Sequence, residues 1–161
     1  MRQIGLLLCL MISAQAIAQG PAAPQPVFRT AGAFFGLSVP DVEASAKWYS
    51  EKFGMTVVLR PPKFDGATAV ILEGNGLIVE LLQRDDAMPL SKAAPSVAQT
   101  YRVHGFFKAG IIVDDFDGTV ARLKERGVAV AMGPYPKSAE QRANVIVRDN
   151  SGNLIQFFGP R

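Results

Sequence analysis

Three polar residues stand inside apolar runs that read as strand interiors: Glu80 in GLIVELL (76–82), Lys108 in FFKAGIIVDD (106–115) and Gln156 in GNLIQFF (152–158). A carboxylate, an ammonium and an amide can orient a ligand between them, and the two oxygen-bearing groups can also ligate a divalent cation. The single histidine, His104, precedes Lys108 by four residues. On a strand that separates them by roughly 13 Å, at about 3.3 Å per residue, so His104 joins the same site only through a large bulge. It reads instead as a loop-end side chain bonded to water or backbone. Burying an ammonium or a carboxylate alone is expensive. The first expectation is therefore that Lys108 and Glu80 pair across a cleft. The competing reading is that Lys108 lays its stem on apolar surface and keeps its head in water. A lysine base would need burial to lower its pKa, whereas a Glu80 partner would raise it, so pairing and base catalysis compete.

Composition narrows the setting. A chain of 161 residues, 48% hydrophobic and 19% charged, suffices for one well-buried domain and is short for two. Residues 1–18 have a basic start at Arg2, an apolar core and an Ala16-Ile17-Ala18 exit, which together read as a secretory signal peptide. A tether, residues 19–32, follows, and the expected location is secreted or periplasmic. The only cysteine, Cys9, lies in the signal behind Leu8 rather than behind a small residue, so lipidation is not expected. Cleavage after Ala18 would leave no thiol for a disulfide, for nucleophilic catalysis or for zinc. The formal net charge is +3, and losing Arg2 with the leader makes it +2. With no long Lys/Arg run to track phosphates, nucleic acid is not an expected partner, nor is a membrane after signal cleavage.

The elements that must position these residues occur twice. FFGLSVPDVEASAKWYSEKFG (34–54) aligns with KAGIIVDDFDGTVARLKERG (108–127), matching Gly36 with Gly110, Asp41 with Asp115 and Tyr49 with Leu123. Each copy reads as a strand, an Asp that caps a helix, an amphipathic helix and a closing Gly. Short strands at 55–60, 68–73 and 77–83 follow the first helix. Strands at 128–132, 143–148 and 154–158 follow the second, with turn residues at 73–76 and 149–153. The expected class is α+β: two tandem βαβββ modules forming a curved mixed sheet around a cleft. Within a single domain, 33–160, module one spans 33–83, a linker 84–104 with a short helix at 96–101, and module two 105–160.

This paired plan, with the closing DNSGNLIQFF, resembles the vicinal oxygen chelate superfamily, which includes glyoxalase I, extradiol dioxygenases and bleomycin-resistance proteins. In metal-dependent members the first and last strands of the modules carry the ligands. By that resemblance the positions are Phe34, Glu80, Lys108 and Gln156. Phe34 has no donor and a protonated Lys108 repels a cation, which leaves Glu80 and Gln156 as weak candidates. No cofactor is therefore expected, and a divalent metal enters only under an enzymatic alternative.

Strand alternation places Phe34, Gly36 and Ser38, then Ile78, Glu80 and Leu82, on the cleft side. In module two the cleft-side set is Phe106, Lys108, Gly110 and Ile112, with Leu154, Gln156 and Phe158, while Phe107, Ala109, Ile111 and Val113 face the helices. The ligand-binding candidates are Phe34, Ser38, Glu80, Phe106, Lys108, Ile112, Gln156 and Phe158. They suit a small amphipathic or aromatic molecule. The first reading is a binding module with a degenerate metal site. The alternative is a glyoxalase-like lyase or isomerase, or a dioxygenase-related enzyme. A homodimer, with the cleft shared between chains as in other members of the superfamily, stays open. Trp48 and Tyr49 read as core and rim packing, and MGPYPK (132–137) reads as a connection or a lid. Arg60, Tyr135 and Arg148 stand near the cleft mouth without a definite place.

Overall fold

The computed structural model describes residues 31–161. The expected signal and most of the expected tether lie outside the described residues. Module one runs β1 (Ala33–Ser38), α1 (Val42–Phe53), β2 (Thr56–Leu59), β3 (Ala67–Gly74) and β4 (Leu77–Arg84). After a one-turn helix α2 (Leu90–Ala93) and a 3₁₀ turn (Thr100–Arg102), module two runs β5 (Ala109–Ile112), α3 (Phe116–Glu125), β6 (Ala129–Tyr135), β7 (Asn144–Arg148) and β8 (Leu154–Phe158). Two four-stranded mixed sheets result, ordered β1-β4-β3-β2 and β5-β8-β7-β6. The sheets are curved but not closed. In each, the first strand pairs parallel with the last and the remaining pairs are antiparallel. This is the expected tandem βαβββ plan.

Local chemistry accounts for the repeat. Asp41 and Asp115 accept the backbone N–H of Ala44 and Gly118, each at 2.9 Å, and so satisfy an open donor at the first turn of α1 and of α3. The α1 N-terminus is also tied to its own sheet, because Val42 N–H donates to Gln83 Oε1 at 2.9 Å. Gly54 ends α1 in the left-handed region at φ 70, where a Cβ would be strained.

Alternate residues of the central strands fill one continuous core: Val70 and Leu72 on β3, Val79 and Leu81 on β4, Val145 and Val147 on β7, Ile155 and Phe157 on β8. Helix α1 packs on β3 and β4 and also reaches module two, where the Phe53 ring meets Phe157 edge to face at 5.5 Å. Tyr49 is fully buried and donates its hydroxyl proton to Asp149 Oδ2 at 3.1 Å, in the turn between β7 and β8. Trp48, half-buried, packs edge to face on Tyr49 and Phe53, in keeping with the packing role read for both aromatics.

The modules also meet at equivalent positions of the repeat. Lys52 Nζ donates to the Arg126 carbonyl, while Arg126 Nη1 donates to the Lys52 carbonyl at 3.1 Å. These residues lie 74 apart, the offset that also relates Asp41 to Asp115. Each cation thus caps the last turn of the other module's helix.

Three expectations need correction. The strand of module two begins at Ala109, so Phe106, Phe107 and Lys108 precede it. The Phe107 ring, expected against the helices, is instead 40% exposed and stacks edge to face with Tyr101 at 6.5 Å. Second, the stretch 132–137 is not wholly a connection: β6 continues through a register shift after Met132 to pair Tyr135 with Asn144. Third, the linker forms a helical turn at Leu90–Ala93 and a 3₁₀ turn at Thr100–Arg102 in place of one helix over 96–101.

Candidate ligand-binding site

Each sheet has an outward face, because alternation sends the neighbours of core residues away from the shared core. On β4, Glu80 lies between buried Val79 and Leu81; on β8, Gln156 lies between buried Ile155 and Phe157. The two polar residues occupy matching places. Glu80 pairs in register with Gly36, and Gln156 pairs with Gly110.

Around Glu80 the first face is apolar and open. Phe34 is 61% exposed beside Ile78, its register partner, and Ser38 lies exposed opposite Leu82. Glu80 itself is half-buried, its Oε2 standing 3.6 Å from where a Cβ on Gly36 would be. An open cavity of about 710 Å³ runs along one end of this face, lined by Phe34, Val58, Glu73, Leu77 and Ile78 among others. That volume falls within the range of small-molecule sites.

The second face is tighter. Ile112 is 65% exposed and Phe158 half-buried, whereas Gln156 is only 6% exposed. The Phe158 ring leans over Gly110, its Cε2 3.7 Å from the position a Cβ would take. Gln156 Nε2 donates to Asn144 Oδ1 at 3.0 Å. Strand alternation from Ile146 places Asn144 on this face, a partner that reading single strands did not pick out because the contact crosses from β7 to β8.

Lys108 and Glu80 do not pair. Neither appears in an ion pair among the described residues, and the Lys108 ammonium instead lies 5.2 Å from the centroid of the Phe107 ring. A cation over an aromatic face is attracted by the ring's quadrupole. The physical reason for the missing pair is packing: both sheets turn their core sides toward α1 and the shared core, so the faces carrying Glu80 and Gln156 look outward from it. Phe34, Ser38 and Glu80 are therefore brought together on one face, and Ile112, Gln156 and Phe158 on the other. Phe106 stands fully exposed ahead of β5, and His104 before it is also exposed.

The residues left unplaced now have positions. Arg60 forms an ion pair with Glu43 on α1, Arg148 donates to the Gly152 carbonyl at 3.4 Å, and Tyr135 ends β6. Among the described residues, no three His, Cys, Asp or Glu side chains cluster in a way that could hold a metal ion. No helix there is long and apolar enough to cross a membrane.

With this geometry in view, a family model described as Glyoxalase/Bleomycin resistance protein/Dioxygenase superfamily matches residues 32–157. The chain belongs to that superfamily. Among solved structures, this superfamily member is similar to TnmS3, an antibiotic binding protein from Streptomyces sp. CB03234. The two are 23% identical over 85% of this chain and 100% of that one, with a TM-score of 0.59. It is also similar to a glyoxylase/bleomycin resistance protein/dioxygenase domain from Frankia sp. EAN1pec, at 17% identity over 84% of this chain and 94% of that one, TM-score 0.64. A glyoxalase I mutant from Zea mays matches at 20% identity over 78% of this chain and 43% of its own, TM-score 0.57. At such identities the likeness speaks for the fold, which in this superfamily carries both binding and catalysis. No curated protein matches.

Proposed function

We propose that this superfamily member binds a small amphipathic or aromatic molecule against its outward sheet faces and does so without a metal. The observation that carries the reading is the exposure of large apolar side chains beside a polar group on each face, Phe34 on the face of Glu80 and Ile112 on that of Gln156. Apolar walls with sparse polar groups characterise small-molecule sites. The fold accommodates this reading, since one structural relative is an antibiotic binding protein and another is a glyoxalase I mutant.

The residues at the superfamily's metal positions do not suit a divalent ion. Phe34 offers no lone pair, the Lys108 ammonium repels a cation, and Glu80 and Gln156 stand on different sheets. We therefore derive no chemical step through a metal. The enzymatic alternative, a glyoxalase-like lyase or isomerase or a dioxygenase-related activity, would require a site completed from elsewhere. Two chains sharing their faces as a homodimer would bring a Glu80 face against a Gln156 face and cover the exposed aromatics. Export through cleavage after Ala18 would place this binding in a secreted or periplasmic setting. Native mass spectrometry of the purified protein tests the proposal: a retained small molecule supports it, while a retained stoichiometric metal supports the enzymatic alternative.

A further inference from the structure

Gln156 carries an acceptor that the described residues leave unsatisfied. Its Oε1 is buried and has no hydrogen-bond partner. Native folds rarely leave such an atom without a reason. The orientation of the amide is set by a relay. Asn144 Nδ2 donates to the Arg142 carbonyl at 3.0 Å, and a carbonyl only accepts. Asn144 Oδ1 must then face Gln156, where it takes the Nε2 proton at 3.0 Å. Turning the Gln156 amide over would set two oxygens against each other. Oε1 is thereby committed to pointing away from Asn144.

What surrounds that oxygen is asymmetric. Its register partner on β7 is Ile146, nearly fully buried, and its register partner on β5 is Gly110, which presents no side chain. The Phe158 ring covers the glycine side at van der Waals distance and is itself only half-buried. A half-buried phenylalanine can change rotamer readily, whereas a fully packed strand cannot give way at that scale. Moving this ring off Gly110 would open a slot floored by backbone, beside the Gln156 main-chain carbonyl and on the face that the Gln156 side chain shares.

We infer that Gln156 Oε1 is the specificity-determining acceptor of the module-two face. It receives an O–H or N–H from a ligand with an aromatic body once Phe158 swings aside. The inference rests on the proposed binding role and adds to it the class of ligand: one that carries a hydrogen-bond donor on its ring system. An aromatic of the same shape without that donor would leave Oε1 unpaired beneath it, which is where discrimination arises.

The test uses two probes, 2-naphthol and 2-methoxynaphthalene, the second carrying a methyl group in place of the hydroxyl hydrogen, titrated calorimetrically into the full chain. The wild type is expected to prefer the naphthol by about tenfold, the scale of one net hydrogen bond. Gln156→Met, which keeps an unbranched side chain of similar size but also withdraws the donor to Asn144 Oδ1, should bring the ratio to about one. Retained methoxy binding also shows that the variant is folded. Phe158→Ala, in which no ring has to be displaced, should bind naphthol at least as tightly with the preference kept. A preference unchanged in Gln156→Met, or lost in Phe158→Ala, would overturn the inference while leaving the binding role standing. Failure of the wild type to bind either probe would overturn the binding role and the inference together.

Discussion

Replacing Tyr49 with Phe deletes one hydroxyl at the point where α1 of module one touches the β7–β8 turn of module two. The ring is wholly buried, and its O–H donates to Asp149 Oδ2 at 3.1 Å. Asp149 also accepts from Ser151 N–H at 2.9 Å, Asn153 N–H at 2.8 Å and Asn153 Nδ2 at 2.9 Å. Tyr49→Phe therefore leaves the carboxylate with three donors and leaves the aromatic packing on Trp48 and Phe53 in place. What disappears is one hydrogen bond to a charged acceptor, worth about 1.5–3 kcal/mol, and the three surviving donors put the loss near the lower figure, about 1.5 kcal/mol. Removing the other partner is worse. Asp149→Ala would strand the tyrosine hydroxyl in the core together with two backbone donors of the turn, for a loss of at least about 3 kcal/mol. Urea unfolding followed by the fluorescence of Trp48, whose ring centroid lies 5.0 Å from that of Tyr49, measures both variants. A loss in Tyr49→Phe below about 0.5 kcal/mol, the range of an ordinary surface substitution, would refute the claim that this bond joins the modules.

The same hydroxyl predicts an alkaline limit. Burial first, then the Asp149 charge and the hydrogen bond to it, raise its pKa above the ordinary value of 10.0. The folded chain keeps this proton after the unfolded chain has lost it, so its contribution is whole below pH 10 and is lost as pH rises toward the folded-state pKa. Wild-type stability should fall relative to Tyr49→Phe by about 1.4 kcal/mol per pH unit in that window, measured by urea titrations at stepped pH. At the helix caps, Asp41→Ala and Asp115→Ala should each cost about 1 kcal/mol, with Asn restoring most of the loss at either site. The caps serve separate helices, so the double variant should lose the sum within about 0.5 kcal/mol in equilibrium unfolding.

Much of this architecture could be read along the chain because its signals are local. Asp41 and Asp115 open helices, the strand at Leu154–Phe158 falls where alternation puts it, and the offset between the copies carries the topology of one sheet onto the other. Position 108 shows where such reading ends. Phe106 and Phe107 have the composition of a strand, yet β5 starts only at Ala109, and Lys108 finds a ring of its own segment rather than Glu80. Alternation tells which residues share a face but not which faces meet, and here the shared core turns the two outward. The Asn144–Gln156 relay was hidden for a related reason, since it depends on the register between β7 and β8 rather than on either strand alone.

The central claim, metal-free binding of a small molecule, is met most directly by one experiment on the native protein. Its metal content and its retained small molecules are measured on the same sample before and after exhaustive chelation. The account predicts metal far below one ion per chain and a bound organic molecule that survives the chelator. A near-stoichiometric zinc, nickel, manganese or iron ion, with ligand binding lost when it is stripped, would contradict it.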